Sequence, residues 1–346
     1  TNFHRTTFFC LLLFICSSLF ASEQPTEFPE AYAGLNTDAY HLLEFDQSKS
    51  NEVSFQLRGQ KISIDLEKNT VKTLNNNLSF TQTLPNGTLS ATVGDNSLFG
   101  QMHLDNKHYI LTTNQSGIWA VELPKSGLQF NDCGVDHDHG SMPSIENFPE
   151  VSNDKVAGTV IDVLMIYDQA IRNRYPGSLL QTRVDQYFYT SNQTYANSGI
   201  DLAIRQVGLE QMGYNFNDSN ENLRNQIQQS LSIGIGNQGI ENVPQLRQNL
   251  GADLVIFLRT HNIETRGSCG IAFFPTSDTN GVIDSSYGVN VMADGMSSWS
   301  VCTDQLMVHE IGHNLAAGHH KWDPTEYDYF PESRGFAKIG QYGTVM

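Results

Sequence analysis

The segment HEIGHNLAAGHH, residues 309–320, carries the reading of this chain. It lies in an apolar stretch whose spacing predicts a helix over 303–315. On such a helix His309 and His313 stand at i and i+4, one turn apart on the same face. Two imidazoles so placed converge on a single Zn²⁺ at about 2.0–2.1 Å. Glu310 lies beside the first of them. From that position it is poorly placed to be a third ligand, but it reaches a water held at the metal and can act as general base. An open four-coordinate site needs a third protein ligand. His319 follows His313 by six residues, where a continuing helix would turn it off the ligand face. The chain must therefore bend soon after Leu315, and Gly318 is available for that bend. Helix, turn and third His is the spacing H-E-x-x-H-x-x-G-x-x-H. His320, the next residue, competes with His319 for the third place.

Outward from this segment the pattern alternates. TVIDVLMIY (159–167) is a continuous apolar run of the kind buried inside a sheet. Residues 178–197 have helical spacing, with Leu179, Val184, Tyr187 and Tyr195 for an inner face. DLAIRQVGL (201–209) and ADLVIFL (252–258) predict strands, and 219–231 and 243–250 predict helices. CGIAFF (269–274) and YGVNVMA (287–293) add two strand candidates. Strands alternating with helices imply an α/β layer with a mainly parallel sheet over 157–346. Residues 22–132 read differently. KISIDL (61–66), GTLSATVG (87–94), HYILTT (108–113) and GIWAVEL (117–123) are short β-branched and aromatic runs separated by turns such as Asn86-Gly87. They predict a β-rich unit with no recognisable chemistry. Residues 133–156, rich in Asp, Asn, Ser, Gly and Pro, read as an exposed linker. The fold class is thus α+β overall: a β-rich unit, then an α/β domain with a twisted sheet and the motif helix.

Length and composition bound the rest. The chain has 346 residues, 39% of them hydrophobic, enough for two folded domains of about 100–200 residues. A net charge of −17 excludes nucleic acid as a partner, since phosphate binding needs clustered Lys and Arg. Residues 1–21 read as a secretory signal peptide: His4 and Arg5 open it, Phe8 to Phe20 is its apolar run, and Ala21 suits a cleavage site. That run is too short to span a bilayer comfortably. The bulky Phe14 and Ile15 argue against a lipid anchor on Cys16. The expectation is a soluble, exported protein without stable membrane insertion. Of five cysteines, Cys10 and Cys16 fall in the signal segment. Cys133, Cys269 and Cys302 remain, an odd number in an exported chain.

The motif resembles the reprolysin or adamalysin branch of the metzincin zinc endopeptidases, its bacterial members in particular. CGIAFF is similar to that family's substrate-binding edge strand. SVCTDQLMVHE (300–310) is similar to its approach to the active helix, and YGTVM (342–346) to its Met-turn. The resemblance covers about residues 157–346, while 22–132 resembles the family's pro-domains more weakly. It implies that His309, His313 and His319 hold one catalytic zinc and that Glu310 is the general base. It makes Met346 the Met-turn residue, shaping the floor of the site. It implies that Gly270, Ile271, Ala272 and Phe273, as far as Phe274, pair with an extended protein or peptide substrate as an added antiparallel strand. It also implies that the family's fold continues past Met346 into a helix, so that this chain stops short of it. Two positions depart from the family. Its turn glycine falls at Ala316, where a positive φ would cost an Ala on the order of 1 kcal/mol or more. His320 stands where relatives often have Asp. Calcium sites are not legible.

Cys133 lies in NDCGVDHDHG (131–140). A thiolate is an excellent zinc ligand and, on the metal, would take the place that water needs. Cys-Gly-Val resembles the cysteine switch of metalloprotease zymogens. Cys269 and Cys302 are then left to pair with each other. The plainer reading is an unpaired surface thiol. Activation would need a cut within 140–158, by another protease or by the chain itself, and Lys155 suits a trypsin-like enzyme. His137 and His139 add to this segment without ligand spacing, and His41, His103, His108 and His261 read as ordinary polar residues. Two rival readings stand. One takes Glu326 or Glu332 as third ligand, on a further helix that Pro324 and Pro331 disfavour. The other is an exported zinc-bearing adhesion or binding protein with a degenerate site, which Ala316 would favour.

Overall fold

The computed structural model describes residues 28–49, 52–67, 72–125, 129–130, 133, 158–214, 217–234, 238–261, 268–276, 283–297, 300–319, 333, 335, 337–338 and 342–345. The first ten strands are β1 (Tyr40–Leu42), β2 (Glu44–Lys49), β3 (Glu52–Leu57), β4 (Gln60–Asp65), β5 (Lys72–Leu74), β6 (Asn77–Leu84), β7 (Gly87–Gly94), β8 (Ser97–Leu104), β9 (Lys107–Asn114) and β10 (Gly117–Leu123). Strands β5 to β10 form an antiparallel meander that β1 extends, in the order β1-β10-β9-β8-β7-β6-β5. Strands β2 to β4 form a separate three-stranded sheet. Tight connections explain the register. Asn75-Asn76 and Asp105-Asn106 take positive φ at both positions (45° and 70°, 50° and 61°). Two-residue hairpins need this conformation, and Asn and Asp tolerate it best after Gly. The two sheets share a core of Val53, Phe55, Ile62, Phe80, Leu89 and Leu111.

The second part begins with the short strand β11 (Gln129–Phe130), followed by β12 (Thr159–Tyr167), α1 (Gln169–Arg174), α2 (Leu179–Asn197) and β13 (Leu202–Gln211). Then come α3 (Asn220–Ile233), α4 (Val243–Leu250), β14 (Leu254–Thr260), β15 (Gly270–Ala272), β16 (Val289–Met296), β17 (Ser300–Cys302) and α5 (Leu306–Asn314). A two-stranded ribbon, β18 (Ala337–Lys338) and β19 (Tyr342–Gly343), follows. The sheet order is β11-β17-β16-β14-β12-β13, with β15 on β16. Strands β13, β12, β14 and β16 run parallel, whereas β15 and β17 are antiparallel to β16. The architecture is therefore mixed, sheet-rich α+β, with a β-rich amino-terminal region. Local chemistry sets the helix limits: the Ser219 hydroxyl accepts from the Asn222 N–H to start α3, and Gly234 ends it at φ 70°. Among the described residues no helix is long and apolar enough to cross a membrane.

Two features depart from the sequence reading. Residues Gln129–Phe130, read with the β-rich unit, run instead beside β17 in the second sheet. Helix α2 is buried on more than its apolar face. Val184, Tyr187 and Tyr195 pack inward as expected, but Thr182, Arg183, Asp185 and Gln186 are buried too. The meander covers them. Asn75 and Asn77 donate to Asp185, Thr92 donates to Gln186 and Ser97 to Thr182. An amphipathic pattern reports one apolar face; a second, hydrogen-bonded face leaves no apolar signature.

Arg183 holds the deepest charges. Its Nη2 donates to Asp294 at 2.8 Å and its Nη1 to Asp304 at 2.5 Å, while Tyr175 and Tyr187 donate their hydroxyls to Asp294. Asp304 lies just before α5, so the cluster pins the start of the motif helix to α2 and the end of β16. Burial pushes the Asp294 carboxyl upward, but Arg183, Arg174 and the two hydroxyls outweigh it and hold it at about 2. A folded value below the unfolded one stabilises the fold fully above about pH 4, and this contribution is lost as pH falls through about 2. Arg183→Met removes the nearer of the two cations facing Asp294 and the guanidinium that holds Asp304. Urea unfolding of this variant at neutral pH is expected to show a loss of about 3–5 kcal/mol, with a shallower acid dependence. An unchanged unfolding midpoint would contradict the role given to Arg183.

Candidate metal centre

Helix α5 places His309 and His313 one turn apart, and the chain after it returns His319 to the same point. The Nε2 atoms of His309 and His313 are 3.1 Å apart, as are those of His309 and His319. Cys133 Sγ lies 3.5 Å from His313 Nε2. All four donor atoms fall within 4.8 Å of one another. A tetrahedral zinc with Zn–N of about 2.0–2.1 Å and Zn–S of about 2.3 Å has N–N edges of about 3.3 Å and N–S edges of about 3.6 Å. The donor set thus fits one tetrahedral ion in type and spacing. The outer nitrogens are engaged as well: His309 Nδ1 bonds the Val345 carbonyl and His313 Nδ1 the Ala317 carbonyl at 2.8 Å. Each bond fixes its ring and leaves Nε2 for the metal. Burial, then the charges of His309 and His319, hold the His313 ring well below its usual pKa, in the neutral form a ligand needs.

The turn that returns His319 is a Schellman motif. Leu315 caps α5, the Ala317 N–H bonds the Gly312 carbonyl at 2.8 Å, and the Ala316 N–H bonds the His313 carbonyl at 2.9 Å. This geometry demands a left-handed residue directly after the cap, and Ala316 supplies it at φ 70°. The expectation that Gly318 makes the bend is therefore corrected. The positive φ falls two residues earlier, and Gly318 instead exchanges backbone hydrogen bonds with Ser333 and Gly335.

Glu310 is fully buried beside the donor atoms, with Oε2 3.8 Å from Cys133 Sγ. Burial pushes its pKa up to about 8, against the lowering effects of the Cys133 contact and the Arg224 charge. Its other oxygen, Oε1, has no hydrogen-bond partner among the described residues. It faces Gly270 so closely that a Cβ there would sit 2.1 Å from Oε1. Gly270 begins the edge strand β15, which pairs antiparallel with β16 through Gly270↔Met292, Ile271↔Val291 and Ala272↔Asn290. Phe273 follows the strand. Cys133 bridges Gly270 in the parallel sense. Cys269 and Cys302 are joined in a disulfide, linking the start of β15 to the end of β17.

Sequence reasoning missed three supports. Arg224, buried on α3, donates to the Ala272 carbonyl at 2.8 Å and stacks 3.7 Å from the Phe273 ring centroid. Asn314 donates to the Phe273 and Val289 carbonyls, joining α5 to the edge strand and its neighbour. Gly270 makes room for Glu310. Asn314 lies within 309–320 and Gly270 within the edge strand read from CGIAFF, but these contacts, like that of Arg224, left no local signal. His261 is buried with its Nε2 3.0 Å from Ser300 Oγ, beside the disulfide, while His41, His103 and His108 belong to the amino-terminal sheet. Phe274 lies edge-on to the His313 ring, with centroids 5.2 Å apart, whereas Met346, His320, Glu326, Glu332, His137, His139 and Lys155 lie outside the described residues.

A buried helix carrying two His and a Glu, with a third His returned by a tight turn, forms a donor set that could hold one metal ion. The chain belongs to metallo-peptidase family M12, whose Reprolysin_5 model matches residues 157–342. It is similar to a peptidyl-Asp metalloendopeptidase of Pseudomonas aeruginosa, at 23% identity over 213 residues covering 56% of this chain and 32% of that protein. The chain thus spans about a third of the length of this curated relative. Metalloproteinase-II of Bacteroides fragilis has a TM-score of 0.43 and 13% identity, covering 82% of this chain and 86% of its own. A chaperone–substrate complex has a TM-score of 0.39 and 17% identity, covering 71% and 32%. Neither score reaches the level at which a shared fold follows.

Ala316→Gly removes a Cβ from the left-handed region, relieving about 1–2 kcal/mol, against an unfolded-state cost of about 0.5–1 kcal/mol. Thermal unfolding is expected to shift upward by about 2 °C. A lower melting temperature would show that the Ala316 side chain contributes more through packing than its conformation costs.

Proposed function

We propose that this chain is the exported precursor of a zinc endopeptidase, kept latent by Cys133. On this reading residues 1–21 are the signal peptide, 22–132 a pro-domain, 133–156 the linker that is cut, and 157–346 the catalytic domain. The observation that carries the proposal is the convergence of three imidazole Nε2 atoms with a buried carboxylate beside them. A bound zinc would act as a Lewis acid and bring the pKa of a coordinated water toward about 7. The residues of the chain do the rest. His309, His313 and His319 would hold the ion. Glu310, cradled by Gly270, would take a proton from the attacking water and return it to the leaving amine. Strand β15 would hold an extended protein or peptide substrate by main-chain hydrogen bonds, with Arg224 and Asn314 fixing its carbonyls from behind. Family membership and the metalloendopeptidase relative support the same reading.

Latency follows from the thiol. Cys133 Sγ stands among the donor atoms and beside Glu310, where an attacking water would be required. Its parallel bridge to Gly270 runs opposite to the antiparallel course expected of a substrate. The Cys133 segment would thereby cover the edge strand as well as the metal.

Two outcomes test the proposal. Uncut wild-type chain is expected to leave casein intact, whereas uncut Cys133→Ala hydrolyses it. A Cys133→Ala chain as latent as wild type would remove the thiol from the mechanism. In activated enzyme Glu310→Gln is expected to lower kcat by about 10²–10⁴-fold with zinc content unchanged. Gly270→Ala is expected to do much the same by displacing that carboxylate. Activated wild type and Glu310→Gln that are equally inactive on casein at full zinc occupancy would leave the zinc-bearing binding protein as the better reading.

A further inference from the structure

The amino-terminal sheet does more than deliver Cys133. Phe99, on β8, is fully buried within the core of the second part of the chain, edge-on to Tyr175 at 5.4 Å and 5.9 Å from the Arg183 guanidinium. Tyr32, Trp119 and Val121 close over Met296 and Val301, at the end of β16 and in β17. The two parts approach most closely at two glycines. A Cβ on Gly94 would lie 2.2 Å from Thr182 Oγ1, and one on Gly295, where φ is 116°, would lie 2.7 Å from the Ala31 carbonyl oxygen. Between these points run the hydrogen bonds to Asp185, Gln186 and Thr182, with Gln101 to Gln305 beside the start of α5. None of these contacts uses a metal ligand.

A plug meant only to block a metal needs to reach that metal. This unit instead completes the core around α2 and covers the Arg183–Asp294 pair, which is buried in its presence. Interfaces that interdigitate in this way, with apolar anchors and no room for an added methyl group, behave like the interior of one domain.

We infer that cutting the linker does not release the amino-terminal unit: the processed protein is a two-chain particle in which that unit remains docked on α2 and β16. The cut adds one water across one peptide bond, giving a new carboxylate and a new amine, and leaves the interface untouched. This rests on the reading of 133–156 as the linker that is cut. It adds that the processed protein carries its own former pro-region as a structural subunit, and that activity requires only the Cys133 segment, not that unit, to leave the donor atoms.

The test replaces residues 141–148 with a site-specific protease sequence, in wild-type and Cys133→Ala backgrounds. The purified full chain is cut and passed over a size-exclusion column under native conditions. The expected result is two bands on a denaturing gel from a single native peak at the elution volume of the uncut chain. A catalytic fragment that elutes alone, folded and monodisperse, would overturn the inference. Gly94→Leu wedges α2 from the sheet, and its cut form is expected to give two peaks where wild type gives one. Casein hydrolysis across the peaks separates this inference from the peptidase reading. A co-eluting pair that is inactive even with Cys133→Ala supports the docking and counts against the peptidase.

Discussion

His309 Nε2 must stand 3.1 Å from the Nε2 atoms of both His313 and His319, and the structure around the three rings is arranged for that constraint. Two of the nitrogens come free with the helix, since i and i+4 are neighbours. The third requires the chain to stop, reverse and return within five residues. The reversal rests on Ala316, held left-handed by two backbone hydrogen bonds that only a Schellman turn supplies. Metal binding would offset the strain of such a residue, because the site does not exist in the unfolded chain and its binding free energy therefore adds to folding. The strain therefore sits where the ligand set needs it.

Two buried carboxylates near this helix are kept in opposite states by their surroundings. Asp294 faces Arg183, Arg174 and two hydroxyls, and stays ionised to about pH 2. Glu310 faces a glycine, a thiol and a more distant guanidinium, and burial raises it to about 8. The first fixes the start of α5 relative to α2 and β16. The second has its proton affinity raised by burial and stands beside the Cys133 thiol and the imidazole donors. Similar burial gives different roles because the hydrogen-bond partners differ.

Much of this was legible in the sequence. Strands 87–94, 117–123 and 159–167 and helix 243–250 appear with the limits that their apolar runs and turn residues imply. The ligand spacing at His309, His313 and His319 was readable because helical periodicity fixes local geometry. Strands 77–84 and 97–104 were missed, being mixed runs such as NLSFTQTL whose partners lie across hairpins. The polar face of α2 was missed because hydrogen-bonding side chains look the same in water and against a sheet. Spacing offered Gly318 for the bend because glycine is the usual left-handed residue, whereas the family resemblance put the turn at Ala316, and the positive φ falls there. The room that Gly270 gives Glu310 spans 40 residues of sequence and has no local signature.

The central claim is that Cys133 and the three histidines close on one zinc in the uncut chain. Zinc-edge X-ray absorption of the purified precursor measures this directly. The predicted first shell has three nitrogens at about 2.0–2.1 Å and one sulfur at about 2.3 Å. A shell of nitrogen and oxygen alone, with no sulfur scatterer, would contradict it.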